Sequence, residues 1–247
     1  MTYVGHATVL LEVDGVRLLT DPLLRPRVLH LRRHETANVD TLGEIDVVLV
    51  SHAHWDHLDL PSLRQVVSSG SVVVVPRGVA KHLGRSGAAK VFEIDEGEEL
   101  ALSGLTVTAT HADHHGNRLP FGDATPSLGY VVSGSTRTYF AGDTDLFDEM
   151  SSLAPLDLAL LPVAGWGPRL PAGHLDARRA AEALRLLRPR VAVPIHWGTY
   201  SAMTWRQPRP RLDASPPGEF VRHAAELAPD VDAHVLQPGE SLELAPA

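Results

Sequence analysis

The chain has 247 residues, 44% hydrophobic and 21% charged, with no cysteine and a net charge of −8. That length carries one well-formed core or two small ones; the missing thiols exclude disulfides, thiolate nucleophiles and thiolate metal ligands, and the acidic balance excludes a nucleic-acid partner held by bulk electrostatics. The longest apolar runs, such as VVVV at 72–75, are too short to span a bilayer, and no basic leader precedes an apolar stretch at the start, so no integral membrane segment and a cytoplasmic location are expected.

The first segment predicts a hairpin: TVLLEV and VRLLTD flank Asp14-Gly15, a pair suited to a two-residue turn. Residues 24–44, rich in Arg, His and polar residues without periodicity, read as a long loop. The apolar run over 46–51 predicts a buried strand. Asp59 as N-cap and Pro61 in the first turn predict a short helix over 59–67. SVVVVP (71–76) is a second buried strand. Strands are expected at 90–94, 98–102 and 105–110, and a pair at 128–133 and 136–141 joined through Ser-Gly-Ser. DLFDEMSSL (145–153) is expected to be helical and LDLALLP (156–162) a buried strand. Asp176 caps a helix over 176–188 in which Ala177, Ala180, Ala181, Leu184 and Leu187 share one face. VAVPI (191–195) is the next buried strand. Residues 206–217, with four prolines, read as an irregular loop before a short helix (218–227) and a strand near 233–236.

The order repeats. VRLLTDP, EIDVVLVSHAH, a helix and SVVVVPRG are echoed by TRTYFAGDT, PLDLALLPVAG, a helix and RVAVPIHWG. Each half reads as a hairpin ending in an acid, an apolar strand, a helix and a second apolar strand. This alternation implies sheets covered by helices. Two such halves imply an internally duplicated α/β fold: two mixed sheets face to face, helices outside, strand-end loops meeting at one edge. Residues 1–247 are expected to form one domain.

Fourteen histidines is a high number, and most stand in groups at 52–57, 111–115, 174 and 196. HAHWDH (52–57) directly follows a buried strand. In an extended chain, residues two apart point the same way, so His52, His54 and Asp56 share a side and His57 faces the other. One ion can then take His52 and His54 while a second takes Asp56 and His57. Imidazole and carboxylate suit zinc, and also manganese or iron. Each ion needs a further ligand from elsewhere. His114, Asp143 and His196 follow apolar strands and are the candidates; a carboxylate at Asp143 can bridge two ions about 3.5–4 Å apart.

The HxHxDH pattern after an apolar strand resembles the metallo-β-lactamase superfamily. GHATVLLEVDGVRLLTDP (5–22), HADHHGNR (111–118), AGDT (141–144), GHLDARRA (173–180) and IHWGTY (195–200) continue the resemblance in order, over residues 3–204. The series is similar to the branch containing N-acyl phosphatidylethanolamine-hydrolysing phospholipase D and L-ascorbate-6-phosphate lactonase, and closer to the phospholipase D side. The resemblance implies an αββα four-layer sandwich. It implies one ion on His52, His54 and His114, a second on Asp56, His57 and His196, and Asp143 as the bridge. His114 is preferred to His111 and His115 because the family pattern places its histidine four residues before an arginine, here Arg118. His174 stands where the family has a histidine near the substrate.

The implied activity is dinuclear metal-dependent hydrolysis. Two divalent ions, zinc first and manganese or iron as alternatives, hold a bridging hydroxide as nucleophile. Asp56 binds metal and holds the nucleophile's proton, and His174 donates to the substrate or leaving group. The substrate is a small molecule, a phosphodiester first and a lactone or other cyclic ester as the alternative. A non-catalytic metal-binding scaffold is the third reading, disfavoured because all seven ligand positions are filled. A homo-oligomer stays open. Asp21 either starts a turn or orients a ligand histidine, and His6 packs or hydrogen-bonds under the site. Trp55, Trp166, Trp197 and Tyr200 line a pocket or fill the core. His30, His34, His82, His223 and His234 are expected to be ordinary surface or packing residues.

Overall fold

The computed structural model describes residues 1–34, 39–84, 87–88, 90–116, 118, 125–164, 170–202 and 215–244. β1 (Thr2–Gly5), β2 (Thr8–Val13) and β3 (Val16–Thr20) form an antiparallel meander. Its second turn places Asp14 and Gly15 at φ 52° and 79°, the positive pair that an Asp-Gly step accommodates. The chain leaves through β4 (Arg27–Val28) and β5 (Leu31–Arg33) and returns in β6 (Val47–Leu49). It continues through α1 (Leu60–Val66), β7 (Val72–Pro76) and β8 (Lys90–Ile94). Parallel pairing of β3, β6, β7 and β8 completes a sheet of order β1-β2-β3-β6-β7-β8.

The second sheet begins with antiparallel neighbours: β9 (Glu99–Leu102), β10 (Leu105–His111), β11 (Leu128–Ser133) and β12 (Arg137–Phe140). β13 (Leu156–Pro162), α2 (Ala177–Leu187) and β14 (Pro189–Ile195) follow, then β15 (Tyr200–Ala202), α3 (Ser215–Leu227) and β16 (Asp232–Ala233). The order is β16-β14-β13-β12-β11-β10-β9, parallel from β12 to β16. β15 pairs instead with β5 in a small antiparallel sheet, β15-β5-β4. Each large sheet therefore holds an antiparallel hairpin followed by two parallel strands with a helix between them, the pattern that the sequence repeats.

Side-chain alternation decides the layering. In β6 and β7, Val47, Leu49 and Val74 join a core shared with Val107, Tyr130 and Leu158 of the second sheet. Their neighbours Val48, Val73 and Val75 join Leu63 and Val66 of α1 on the opposite face. α2 packs on β13 and is itself covered by α3, burying Ala180, Ala181, Leu184 and Leu187. The result is the expected mixed α/β sandwich, with two facing mixed sheets and helices outside. Asp59 caps α1, accepting from Ser62 N at 3.0 Å. Asp176 caps α2 in the same way, from Arg179 N at 2.8 Å.

Some expectations need correction. Residues 24–44 are not wholly irregular: β4 and β5 form a hairpin there, and residues 39–42 a 3₁₀ turn. Those strands are two and three residues long, and their turn, Leu29-His30, contains none of the usual turn residues, so periodicity could not reveal them. The 145–153 segment winds as a 3₁₀ helix over Asp148–Leu153 rather than an α-helix. α3 starts at Ser215, three residues early, with Pro216 and Pro217 in a first turn where a missing N–H costs nothing. The remainder of the proline-rich loop, 206–214, lies outside the described residues. Among the described residues, no helix is long and apolar enough to cross a membrane.

Leu184 is fully buried between α2 and the second sheet, so Leu184→Ala is expected to cost about 2–5 kcal/mol. Asp176→Ala, which removes one cap bond, is expected to cost about 1 kcal/mol. Urea unfolding of the two variants measures both losses; a smaller loss for the leucine would contradict this packing.

Candidate metal centre

The candidate ligands sit where strands end. Asp21 follows β3, the 52–57 stretch follows β6, His114 follows β10, Asp143 follows β12 and His196 follows β14. Within the first sheet β3 and β6 run parallel, and within the second β10, β12 and β14 share one direction. All these residues therefore lie just beyond the carboxyl ends of co-oriented strands. His6 belongs with them, since β1 points the same way as β3. Gly142, at φ 62°, lets the chain turn directly before Asp143; a Cβ there would stand 2.6 Å from Ser51 Cβ.

Four overlapping sets of donor atoms result, each within 4.8 Å of one another: first His52, His54 and His114, second His6, Asp56, His57 and His196, then Asp21, His52 and His57, and His114, Asp143 and His174. In the first, His54 Nδ1 lies 2.9 Å from His52 Nε2 and 3.3 Å from His114 Nε2. In the second, His57 Nε2 and His196 Nε2 are 3.3 Å apart. Asp56 Oδ2 lies 3.7 and 3.8 Å from those two nitrogens and 3.3 Å from His6 Nε2. Asp143 stands between the first two sets. Its Oδ2 is 4.0 Å from His52 Nε2 and 3.3 Å from His57 Nε2, while its Oδ1 is 3.3 Å from His196 Nε2. His174 Nε2 approaches the same carboxylate at 3.5 Å.

The hydrogen bonds outside the cluster fix which ring nitrogens carry protons. His57 Nδ1 donates to Asp21 at 2.7 Å, His114 Nδ1 to the Gly173 carbonyl at 2.8 Å and His196 Nδ1 to the Ala164 carbonyl at 2.9 Å. The Ser51 hydroxyl donates to Asp21 at 2.5 Å, so it accepts from His52 Nδ1 at 2.9 Å. The inward Nε2 atoms of His52, His114 and His196 are therefore lone pairs. Asp143 Oδ1 is buried, has no hydrogen-bond partner among the described residues, and faces one of those lone pairs. Nitrogen and oxygen lone pairs at such distances repel, and a divalent cation between them turns the repulsion into coordination. The donor set fits such an ion, with neutral imidazole and carboxylate and no sulfur.

Electrostatics agree. Burial holds His52 well below the usual imidazole range, lowers His54, and brings His114 to about 4 and His6 to about 3. Neutral rings are what metal binding requires. Burial also pushes His57 down, but Asp143, Asp56 and Asp21 outweigh it and raise that ring well above the usual range. A proton on His57 there takes the place of the positive charge that three carboxylates demand. Burial pushes the carboxyls of Asp56 and Asp143 up. Neighbouring imidazoles, His57 foremost for Asp56 and His196 for Asp143, prevail and hold both well below the usual range.

The chain does not stay extended through 52–57. Leu58 N bonds to the His54 carbonyl at 2.8 Å, so a helical turn swings Asp56 away from the side shared by His52 and His54 and towards His57. The simple alternation rule fails there, although the two pairs it suggested are the pairs found. His111 instead meets Glu96 at 2.9 Å on the surface, and His115 is exposed; His114 is the member of its triplet brought to the cluster. Trp197 stacks on Tyr3, and the buried Tyr200 hydroxyl donates to the Arg25 carbonyl, so both fill the core. Trp55 remains at the surface beside the cluster, and Trp166 lies outside the described residues. His6, expected to pack or hydrogen-bond under the site, meets Asp56 at 3.3 Å. Its only local signal is a Gly-His step after a short apolar stretch.

The family model described as the beta-lactamase superfamily domain matches residues 16–197. A UPF0173 metal-dependent hydrolase of Methanopyrus kandleri is 34% identical, over 98% of this chain and 99% of that protein. An N-acyl-phosphatidylethanolamine-hydrolyzing phospholipase D of Caenorhabditis elegans is 32% identical, over 85% of this chain and 68% of that protein. Among solved structures, a novel metallo hydrolase of the hyperthermophilic archaeon Ignicoccus hospitalis superposes with a TM-score of 0.73 at 28% identity, covering 98% of this chain and 96% of that one.

The lowered histidines give a pH prediction for the metal-free protein. His6, His52, His54 and His114 take up protons below about 6.5 when unfolded but stay neutral when folded, so stability falls as pH drops below that value. His57 and His174, whose folded pKa values are raised, act oppositely and are outnumbered. The urea midpoint is expected to be lower at pH 5 than at pH 7.5; the reverse order would contradict buried neutral rings.

Proposed function

The chain belongs to the metallo-β-lactamase superfamily and is a metal-dependent hydrolase, and from that premise we propose that it is a dinuclear phosphodiesterase acting on a small-molecule substrate. The observation that carries this is the central position of Asp143 between two complete donor sets. His52, His54 and His114 would hold one divalent ion, zinc by preference with manganese or iron as alternatives. Asp56, His57 and His196 would hold the second, and Asp143 would serve both. Bound there, such ions supply a water acidified towards a pKa of about 7 and a Lewis acid for the substrate oxygen.

The chain's own groups supply the proton handling. Asp56 is reachable from solvent, with 16% of its side chain exposed, and its carboxylate, held in the ionised form, can take the proton of an attacking water. His174 faces acceptors from both ring nitrogens: Asp143 on one side, the carbonyls of Pro171 and Ala172 at 3.3 Å on the other. Burial lowers its pKa, but the Asp143 contact prevails and raises it, so the ring carries the proton that a leaving oxygen needs. The charge of a phosphoryl group complements two cations, and the nematode relative is named for hydrolysing a phospholipid. We read residues 1–247 as one catalytic domain acting in the cytoplasm.

Metal analysis of protein purified without chelator is expected to give about two ions per chain; a folded protein with none would remove the reading. Asp143→Asn and His57→Ala are expected to lower hydrolysis by about 100-fold or more with the circular dichroism spectrum unchanged. Turnover of bis-p-nitrophenyl phosphate is compared with that of a lactone panel. Hydrolysis of lactones alone would replace the phosphodiester by a cyclic ester.

A further inference from the structure

A small apolar pocket opens beside the donor cluster. The β4–β5 hairpin and the ligand-bearing loop border a half-open cavity of about 130 Å³, lined by Val28, Leu29, His30, Leu31 and Trp55 together with His54 and Asp56. Those last two belong to different donor sets, so the pocket adjoins both halves of the centre. Its volume approaches the roughly 150 Å³ of a cavity that holds one benzene molecule.

Two features mark this surface as more than incidental. Leu29 occupies the first position of a two-residue turn at φ 49° and is 67% exposed. That conformation favours glycine, and an exposed leucine gains little packing in return, so the fold keeps an apolar side chain at a strained position beside the site. Trp55 is 37% exposed yet firmly placed. The Arg118 guanidinium lies 3.8 Å from its ring centre and is tied to the carbonyls of Ala53 and Leu58 at 2.9 and 3.0 Å. A rigid aromatic wall and an apolar hairpin tip next to paired metal donors are what a substrate with one charged and one apolar end requires.

We infer that this pocket is a substrate subsite for a compact apolar group of about six carbon atoms, attached next to the phosphoryl group. The inference rests on the proposed phosphodiesterase reading and narrows it. A cavity of this size seats a ring or a short branched chain.

Binding of phenylphosphonate and methylphosphonate to the zinc-loaded protein, measured by calorimetry, tests it. The two share the charged head and differ in the apolar group. Phenylphosphonate is expected to bind about tenfold more tightly or better. Leu29→Gly, which removes one wall while relieving the backbone, and Trp55→Ser are each expected to bring the affinity ratio towards one. Equal affinities in the wild-type protein, or a ratio that neither variant changes, would overturn the subsite and leave the metal centre standing. If neither phosphonate bound a protein that had taken up its zinc, the phosphodiesterase reading would fall with it.

Discussion

Every imidazole whose inward nitrogen can be assigned is held from behind. Asp21 accepts from His57 Nδ1, Ser51 Oγ from His52 Nδ1, the Gly173 carbonyl from His114 Nδ1 and the Ala164 carbonyl from His196 Nδ1. Each bond fixes a ring orientation, and so aims the other ring nitrogen inward. Asp21 has the widest reach. It is fully buried, accepts from Ser51 N and Ser51 Oγ as well as from His57, and so couples one ring of each of the first two donor sets to a single carboxylate. Burial pushes its pKa up, and the three donors are what offset that cost.

The fold makes that arrangement possible by repetition. Each sheet contributes a hairpin and two parallel strands, and co-oriented strands deliver their carboxyl ends to one edge. The first ligand of each loop stands within three residues of the end of a hydrogen-bonded strand, so the starting points of these loops are rigid. Asp143 comes from the second sheet and the 52–57 stretch from the first. The Leu128 amide bonds to the Ser51 carbonyl at 2.9 Å and the Tyr130 hydroxyl to the Val50 carbonyl at 2.8 Å, which ties the two sheets together at the point where their ligands meet.

Sequence reasoning reached the long apolar strands, the capped helices and the repeat because each is written locally: period-two or continuous apolar runs, Asp59 and Asp176 ahead of helical stretches, Asp14-Gly15 between strands. It reached the ligand types because histidine and aspartate after apolar strands are chemically distinctive. It could not reach features whose cause lies far along the chain. β5 is stabilised by β15, more than 160 residues away, and neither is long enough to show a pattern. His6 enters the site because its carbonyl accepts from His196 N at 2.8 Å and its amide donates to Thr199 at 2.7 Å. Nothing near His6 in sequence signals those contacts. The turn inside HAHWDH was also invisible, since its i to i+4 bond depends on where the rings on either side are held.

Backbone strain points to the same region. His6, Asp21 and His196 all have positive φ, at 57°, 32° and 62°, a conformation that costs a side chain about 1–3 kcal/mol and is kept where the surroundings over-determine it. Asp14 and Arg188 also have positive φ, but they occupy an ordinary turn and a helix C-cap, where the conformation is the common solution. His6 stands in the two-residue β1–β2 turn, but Asp21 and His196 have no such excuse. His6 and His196 are joined by a backbone hydrogen bond, so each holds the other in the strained form, and Asp21 is pinned by three donors. At each of these positions the chain has to turn sharply at the end of a strand and point a side chain along the sheet edge, not across it. A relaxed extended residue would carry the side chain to one face of the sheet, into the core or against a helix, and the donors would not converge. The strain is therefore part of how strand ends become a site, and the rigid sheets on both sides are what sustain it.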